Sequence, residues 1–300
     1  LVSRLERYVI PHLGSRPLAD LLPTEILSVL RGIEAKGFPS LAYQILQDLR
    51  GMYRYATIAA LCTRDPTSAL AGNIRKPKSK GNAAFLDSKA AGRLLVAIRE
   101  YRGKSRSTAR YMFRLAPMLF LRPVELRQLE WREVDLDAAT IVVPAERMKS
   151  RRPHVVPLAR QAVYLLRDVH KITGGLRYVF NGGRGRDEPL CFGAFYNMLR
   201  AIGYRKTVTP QGFRVMASTW LNEQGWRADA IERQLSHLGG GGHQTRSIYN
   251  QAEYLSERRK MMQAWADYLD FLEAKTKRSL RALTARNDVG VVSRSLHAAI

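Results

Sequence analysis

At 300 residues the chain is long enough for about two domains, each able to bury its own core. With 46% hydrophobic and 25% charged residues it has the make-up of a globular chain rather than a disordered one, and no stretch reaches the roughly 18 uninterrupted apolar residues of a membrane helix. Lys and Arg number 49 against 26 Asp and Glu, a formal net charge of +23, which points to a polyanionic partner, nucleic acid ahead of an anionic membrane surface.

Residues 1–76 read as a small helical domain. Thr24 is the expected N-cap of a helix through Arg31, with Ile26, Leu27 and Leu30 on one face. A longer amphipathic run, Leu41 to Leu61, carries Ile45, Leu49 and Tyr53, and Arg64-Asp65-Pro66 closes it. The basic, Pro- and Gly-containing stretch after Arg75 predicts an interdomain linker over 77–83. Its lysines Lys76, Lys78 and Lys80 are either solvated or track a phosphate backbone. Charge does not separate the parts, since residues 1–82 carry a net +6 and the remainder +17.

From 84 to 272 the pattern is mixed. A helix opens near Asp87, and an apolar one follows over Arg110 to Leu121. Pro123 fits the first turn of another. The β-branched runs Thr140–Pro144 and His154–Leu158 flank a basic turn and predict a β-hairpin. Helical periodicity returns at 192–202, 212–223, 229–235 and 250–272, with no internal repeat. Residues 273–300 hold six Lys and Arg with weak periodicity, which predicts a basic C-terminal tail, mobile or a terminal helix. The chain opens at Leu1 without Met or a charged-then-apolar leader, so a fragment or trimmed product is expected rather than a secreted protein. Cys62 and Cys191 form neither a disulfide framework nor a zinc ligand set, and a reducing cytosol fits them best.

Full phosphate-binding loops of the Gly-x-x-x-x-Gly-Lys-Ser/Thr type, Cys-x-x-Cys pairs, His-Glu-x-x-His and Gly-x-Ser-x-Gly are all missing from the sequence, and carboxylates do not cluster as in a two-metal nuclease. That leaves a plain DNA or RNA binder, or an enzyme that works on phosphodiesters with side chains alone. Metal-free phosphoryl transfer needs guanidinium groups to neutralise the non-bridging oxygens, a proton donor for the leaving oxygen and an in-line nucleophile. The sequence offers candidate boxes in order: Leu121-Arg122-Pro123-Val124-Glu125, Arg147-Met148-Lys149 with Arg152-Pro153-His154, Gln211-Gly212-Phe213-Arg214, Gln234-Leu235-Ser236-His237 and Ser247-Ile248-Tyr249-Asn250.

On these boxes the chain resembles the phage-integrase family of tyrosine recombinases, in the branch of prophage and genomic-island integrases, from residue 1 to about 272. The resemblance implies a mainly α fold with a small β-sheet: a helical core-type DNA-binding domain and a mixed α/β catalytic domain closing as a C-shaped clamp on DNA. It implies Arg122 and Arg214 as the clamp on the scissile phosphate and Lys149 as proton donor to the 5′ oxygen. His237 would hydrogen-bond the phosphate or assist the nucleophile, and Tyr249 would form the 3′-phosphotyrosyl link. Arg147, Arg151 and Arg152 join the linker lysines as expected DNA contacts. Tyr254 falls in the apolar series Leu255, Met262, Trp265, Leu269 and reads as packing, as do Trp131 and Trp220; His12 and His154 read as structural, and Glu125 as a buttress.

Three departures stand out against the family pattern. Gln211 occupies a usual histidine position and can donate a hydrogen bond but cannot exchange a proton near neutral pH. Four glycines, 239–242, lengthen the spacer before Tyr249, so His243 competes with His237 for its role. The family's N-terminal arm-binding domain has no counterpart in the sequence. The expected activity is integration and excision of a mobile element, with no cofactor, metal or ATP. The expected partners are double-stranded attachment sites and further protomers in a homotetramer at synapsis; an excision factor and a DNA-bending protein are further implied partners. The cytoplasm, on the bacterial nucleoid, is the implied location. A type IB topoisomerase-like enzyme and a non-catalytic DNA-binding relative are the alternatives.

Overall fold

Proline stands in the first turn of both long helices of the N-terminal unit, where its missing N–H costs no helical hydrogen bond. The computed structural model describes residues 1–76, 87–102, 107–183, 187–205, 207–237 and 254–297. The chain divides into two units, Leu1–Gly81 and Asn82–Ile300.

In the first unit α1 (Val2–Tyr8) and α2 (Ile10–Leu13) precede α3 (Pro23–Ala35) and α4 (Pro39–Ile58). Ile26, Leu30 and Ile33 of α3 share a core with Ala42, Ile45, Leu49 and Tyr53 of α4. The buried Tyr53 donates its hydroxyl to the Leu18 carbonyl at 3.0 Å, and burial pushes its pKa up to about 12. Thr24 does not cap α3. The cap is Leu22, whose N–H donates to the Glu25 carboxylate at 2.9 Å, and Thr24 falls inside the first turn behind Pro23.

The second unit opens with α5 (Ser88–Glu100), capped by Asp87. The Asp87 carboxylate accepts from the Lys89 and Ala90 N–H groups at 3.2 and 3.0 Å, and these bonds hold it below the usual carboxylate range. Next come α6 (Ser107–Leu119) and the short α7 (Pro123–Arg127). Strands β1 (Val134–Asp135), β2 (Thr140–Val143) and β3 (His154–Pro157) form an antiparallel sheet in that order. The predicted hairpin is present, with Val143 opposite His154, while two-residue β1 is too short to show any alternation in sequence. Ile141, Val143 and Val156 are fully buried in the same core as Leu165, Leu166 and Val169 of α8 (Arg160–Thr173).

Helices α9 (Ala194–Ala201), α10 (Gly212–Glu223) and α11 (Ala228–Gln234) lead to α12 (Leu255–His297). Met261, Met262, Trp265, Leu269 and Leu272 form the buried stripe of α12. Trp265 lies between Phe120 and Trp220, ring centroids 6.2 and 5.5 Å away, and donates its indole N–H to the Pro117 carbonyl at 2.8 Å. Gly92 of α5 permits a close approach to α12, because a Cβ there would collide with the Thr276 side chain. The helix continues to His297 through the segment with weak periodicity; residues 273–297 hold one glycine and no proline, so nothing in them stops it. Among the described residues no helix is long and apolar enough to cross a membrane.

His154 is buried at the start of β3 and hydrogen-bonded to the Gln234 backbone. Burial, then the guanidiniums of Arg258, Arg233 and Arg214, push its pKa down to about 3. The unfolded imidazole, at about 6.5, takes up a proton that the folded one refuses. Stability is therefore full above about pH 6.5 and falls as the pH drops from there toward 3. Between pH 7 and 5 this group removes about 2 kcal/mol. Chemical denaturation of His154→Gln at both pH values should show a drop smaller by that amount; equal drops in the two proteins would contradict the assignment.

Candidate active site

The last carbonyls of a helix have no partner along the chain, and at the end of α11 arginines from elsewhere supply it. Ser236, just past the C-cap Leu235, takes the left-handed conformation (φ 52°). Its N–H then bonds the Arg233 carbonyl at 3.1 Å, and the His237 N–H bonds the Glu232 carbonyl at 3.0 Å. The Leu235 carbonyl accepts from Arg214 Nη2 at 2.6 Å, and the Ser236 carbonyl accepts from Arg122 Nη2 at 3.3 Å.

Arg122 caps α7 and Arg214 is the third residue of α10, so the two guanidiniums reach α11 from different helix starts. Arg122 Nη1 donates to the buried Glu125 carboxylate at 2.8 Å, and the other oxygen of Glu125 accepts the Arg122 backbone N–H at 2.8 Å. Glu125 is thus the buttress of Arg122. Arg214 is 3% exposed and donates Nη1 to the Phe120 carbonyl. No carboxylate among the described residues touches it, and its Nε is buried without a hydrogen-bond partner among them. Burial first, then the like charge of Arg122, push its pKa down to about 10, so it is still a cation at neutral pH.

His237 extends the cluster. Its Nε2 is 3.4 Å from Arg214 Nη2, and its Nδ1 donates to the Glu232 carboxylate at 2.8 Å, a tautomer assigned from that partner. Gln211 is half-buried at the N-cap of α10, three residues before Arg214. Lys149 is exposed in the loop between β2 and β3. That loop is tied to α7 because Arg147 pairs with buried Glu133 and donates to the Glu125 carbonyl at 3.1 Å. Arg147 therefore faces inward, whereas Arg151 and Arg152 are exposed, as is Lys76 in the first unit. Tyr249, Lys78, Lys80, the four-glycine spacer and His243 lie outside the described residues.

Two guanidiniums meet beside an imidazole where a buried donor has no acceptor among the described residues, which suits a tetrahedral oxyanion. An unpaired buried donor costs about 1–3 kcal/mol, and a bound anion oxygen removes that cost. Among the described residues no three His, Cys, Asp or Glu side chains are grouped to hold a metal ion. Sequence reasoning missed Glu232 and the buried Arg258. Arg258 did leave a signal: it occupies a place in the 255, 258, 262, 265, 269 series that is otherwise apolar.

The phage integrase family model matches residues 84–255, and the phage integrase central domain model matches residues 1–73. The chain is 38% identical over 273 residues to prophage integrase IntZ of Escherichia coli (strain K12), across 91% of this chain and 66% of that protein. It spans about two thirds of the length of the curated relatives it matches. In fold it is similar to a lambda integrase(75–356) dimer bound to a COC′ core site, with TM-score 0.61, 21% identity and 86% of each chain covered. A lambda integrase tetramer bound to a Holliday junction matches with TM-score 0.61 and 20% identity, over 82% of this chain and 69% of that one.

Ser236 adopts its backbone conformation against the preference of an L side chain, whereas glycine adopts it freely. Ser236→Gly should leave unfolding free energy unchanged or raise it by up to about 1 kcal/mol, read by chemical denaturation. A loss above about 1 kcal/mol would mean that the serine side chain, not the backbone turn, holds this end of α11.

Proposed function

The chain belongs to the phage integrase family, and on that premise we propose that it is a site-specific DNA recombinase that integrates and excises a mobile element. The observation that carries this reading is the meeting of Arg122 and Arg214 at the end of α11, with an Arg214 Nε beside them that has no partner among the described residues. A scissile phosphate supplies the acceptor that this donor lacks. Two fixed guanidiniums neutralise the charge that grows on its non-bridging oxygens. His237, held by Glu232 through Nδ1–H, keeps its Nε2 as an acceptor to assist the nucleophile, and Gln211 donates to the phosphate from the start of α10.

The chemistry that follows is a balanced exchange. The Tyr249 oxygen forms a bond to phosphorus as the phosphorus–O5′ bond breaks. The hydroxyl proton of Tyr249 passes to His237 Nε2, and Lys149 gives a proton to the departing 5′ oxygen. The energy of the diester stays in the 3′-phosphotyrosyl ester, so a 5′-hydroxyl of a partner strand reverses the step and rejoins the DNA without ATP.

Double-stranded attachment sites are the substrates in this reading. Lys76, Lys78, Lys80, Arg151 and Arg152 touch backbone phosphates, and the helical 1–76 unit adds DNA contacts of its own. Four protomers act at synapsis, a reading supported by the lambda integrase tetramer on a Holliday junction. An excision factor and a DNA-bending protein assist, and the reaction takes place in the cytoplasm on the nucleoid.

A suicide substrate, nicked so that the cleaved strand cannot be rejoined, tests the proposal. The unsubstituted protein should form a covalent DNA adduct that Tyr249→Phe abolishes with DNA affinity within about twofold, a difference of under about 0.5 kcal/mol. Arg122→Ala should slow adduct formation by about 10² to 10³-fold. No adduct from the unsubstituted protein, with binding intact, would reduce it to a non-catalytic DNA-binding relative. Relaxation of supercoils without joined products from two marked sites would make it topoisomerase-like.

A further inference from the structure

Arg258 is 0% exposed in the first turn of α12, yet none of the steps above uses it. Its Nε and Nη2 donate to the Gln234 side-chain oxygen at 2.9 and 2.8 Å, and Nη2 also donates to the Val155 carbonyl of β3. Gln234, likewise 0% exposed, is the last residue of α11, directly before the carbonyls that hold Arg214 and Arg122. Val155 lies six residues beyond Lys149, on the strand that leaves the Lys149 loop. Arg147 ties the other stem of that loop to Glu133 and to the Glu125 carbonyl. The loop is therefore fastened at both stems by buried or half-buried arginines, one joined to the helix that Arg122 caps and the other to α11, which ends at Gln234.

We propose that Arg258 is a positioning residue for Lys149: by bolting β3 to the end of α11 it fixes where the Lys149 ammonium stands relative to the phosphate held by Arg122 and Arg214. The fork geometry of a guanidinium fits this task, because one group spans two acceptors on two elements at once. Burial and the nearby Arg233 charge push its pKa down to about 10, so it holds its proton and all its donors at neutral pH. A methionine of similar length would pack in the same space but would leave β3 and α11 joined only by their remaining contacts. The inference rests on Lys149 protonating the leaving 5′ oxygen, and the test separates the two ideas.

The experiment compares adduct formation on two suicide substrates, one with the ordinary bridging 5′ oxygen and one with sulfur in its place. With sulfur the phosphorus–sulfur bond breaks to give a thiolate, which leaves without a proton because thiols are far stronger acids than alcohols. Arg258→Met should slow cleavage of the oxygen substrate about tenfold or more, with DNA affinity unchanged, and should cleave the sulfur substrate within about twofold of the unsubstituted protein. Lys149→Ala should show the same pattern more strongly, and Arg258→Lys, which reaches one acceptor, should fall between. A purely structural role would slow both substrates together, and equal slowing by Arg258→Met overturns the proposal. If Arg258→Met does not fold, Arg258→Lys decides the matter by the same comparison. Should Lys149→Ala itself slow both substrates equally, the proton-donor reading fails and the positioning proposal fails with it. No adduct from the unsubstituted protein on either substrate would instead refute the recombinase reading.

Discussion

Backbone carbonyls at the end of one seven-residue helix hold the positive charges of this site together. Leu235 accepts from Arg214, Ser236 accepts from Arg122, and the Gln234 side chain just before them accepts from Arg258. Carbonyl dipoles at a helix C-terminus carry partial negative charge, so they can hold guanidiniums without cancelling them. A carboxylate in their place would satisfy the arginines and leave little attraction for an incoming anion. Glu125 does pair with Arg122, but Arg214, the more buried of the two, is left with carbonyls and one donor with no acceptor among the described residues. Burying such a cation costs free energy, and a site that keeps it is preorganised for negative charge arriving from outside.

Around this cluster the buried carboxylates are spent on framework. Glu130 takes Arg132 and Arg177, and Glu133 takes Arg147. Both glutamates are nearly fully buried, so each pairing is needed to keep an isolated negative charge out of the core. His154, held neutral beneath the site, adds no further charge to three nearby guanidiniums. The division of labour is physical: Arg147, Arg132 and Arg177 are paired with carboxylates and brace the sheet and its surroundings, whereas Arg214 is held by carbonyls and keeps its charge uncompensated.

Much of this was legible in the sequence. The β2–β3 hairpin followed from two β-branched runs around a basic turn, and the helix starts that carry Arg122 and Arg214 followed from Pro123 and from Gly212-Phe213-Arg214. Local capping was less legible: Thr24 looks like a cap, but Pro23 moves the boundary back to Leu22 and gives the work to Glu25. The inward turn of Arg147 could not be read, because one basic run serves both solvent and Glu133, and only the tertiary fold brings Glu133 within reach. Ser236 gives no glycine signal for the left-handed turn that places His237. Arg258 was visible as a charged residue on an apolar helix face, but its partners come from segments 24 and 103 residues away, and no periodicity reports those.

In the proposed reaction the Arg122–Arg214 cluster receives a DNA phosphate. A crystal structure of the Tyr249→Phe protein on attachment-site DNA would show whether it does. A single backbone phosphate should stand with non-bridging oxygens within about 3.2 Å of both guanidiniums, one of them accepting from Arg214 Nε–H. Duplex bound elsewhere, with that Nε still lacking an acceptor and Arg122 still on the Ser236 carbonyl, would contradict it.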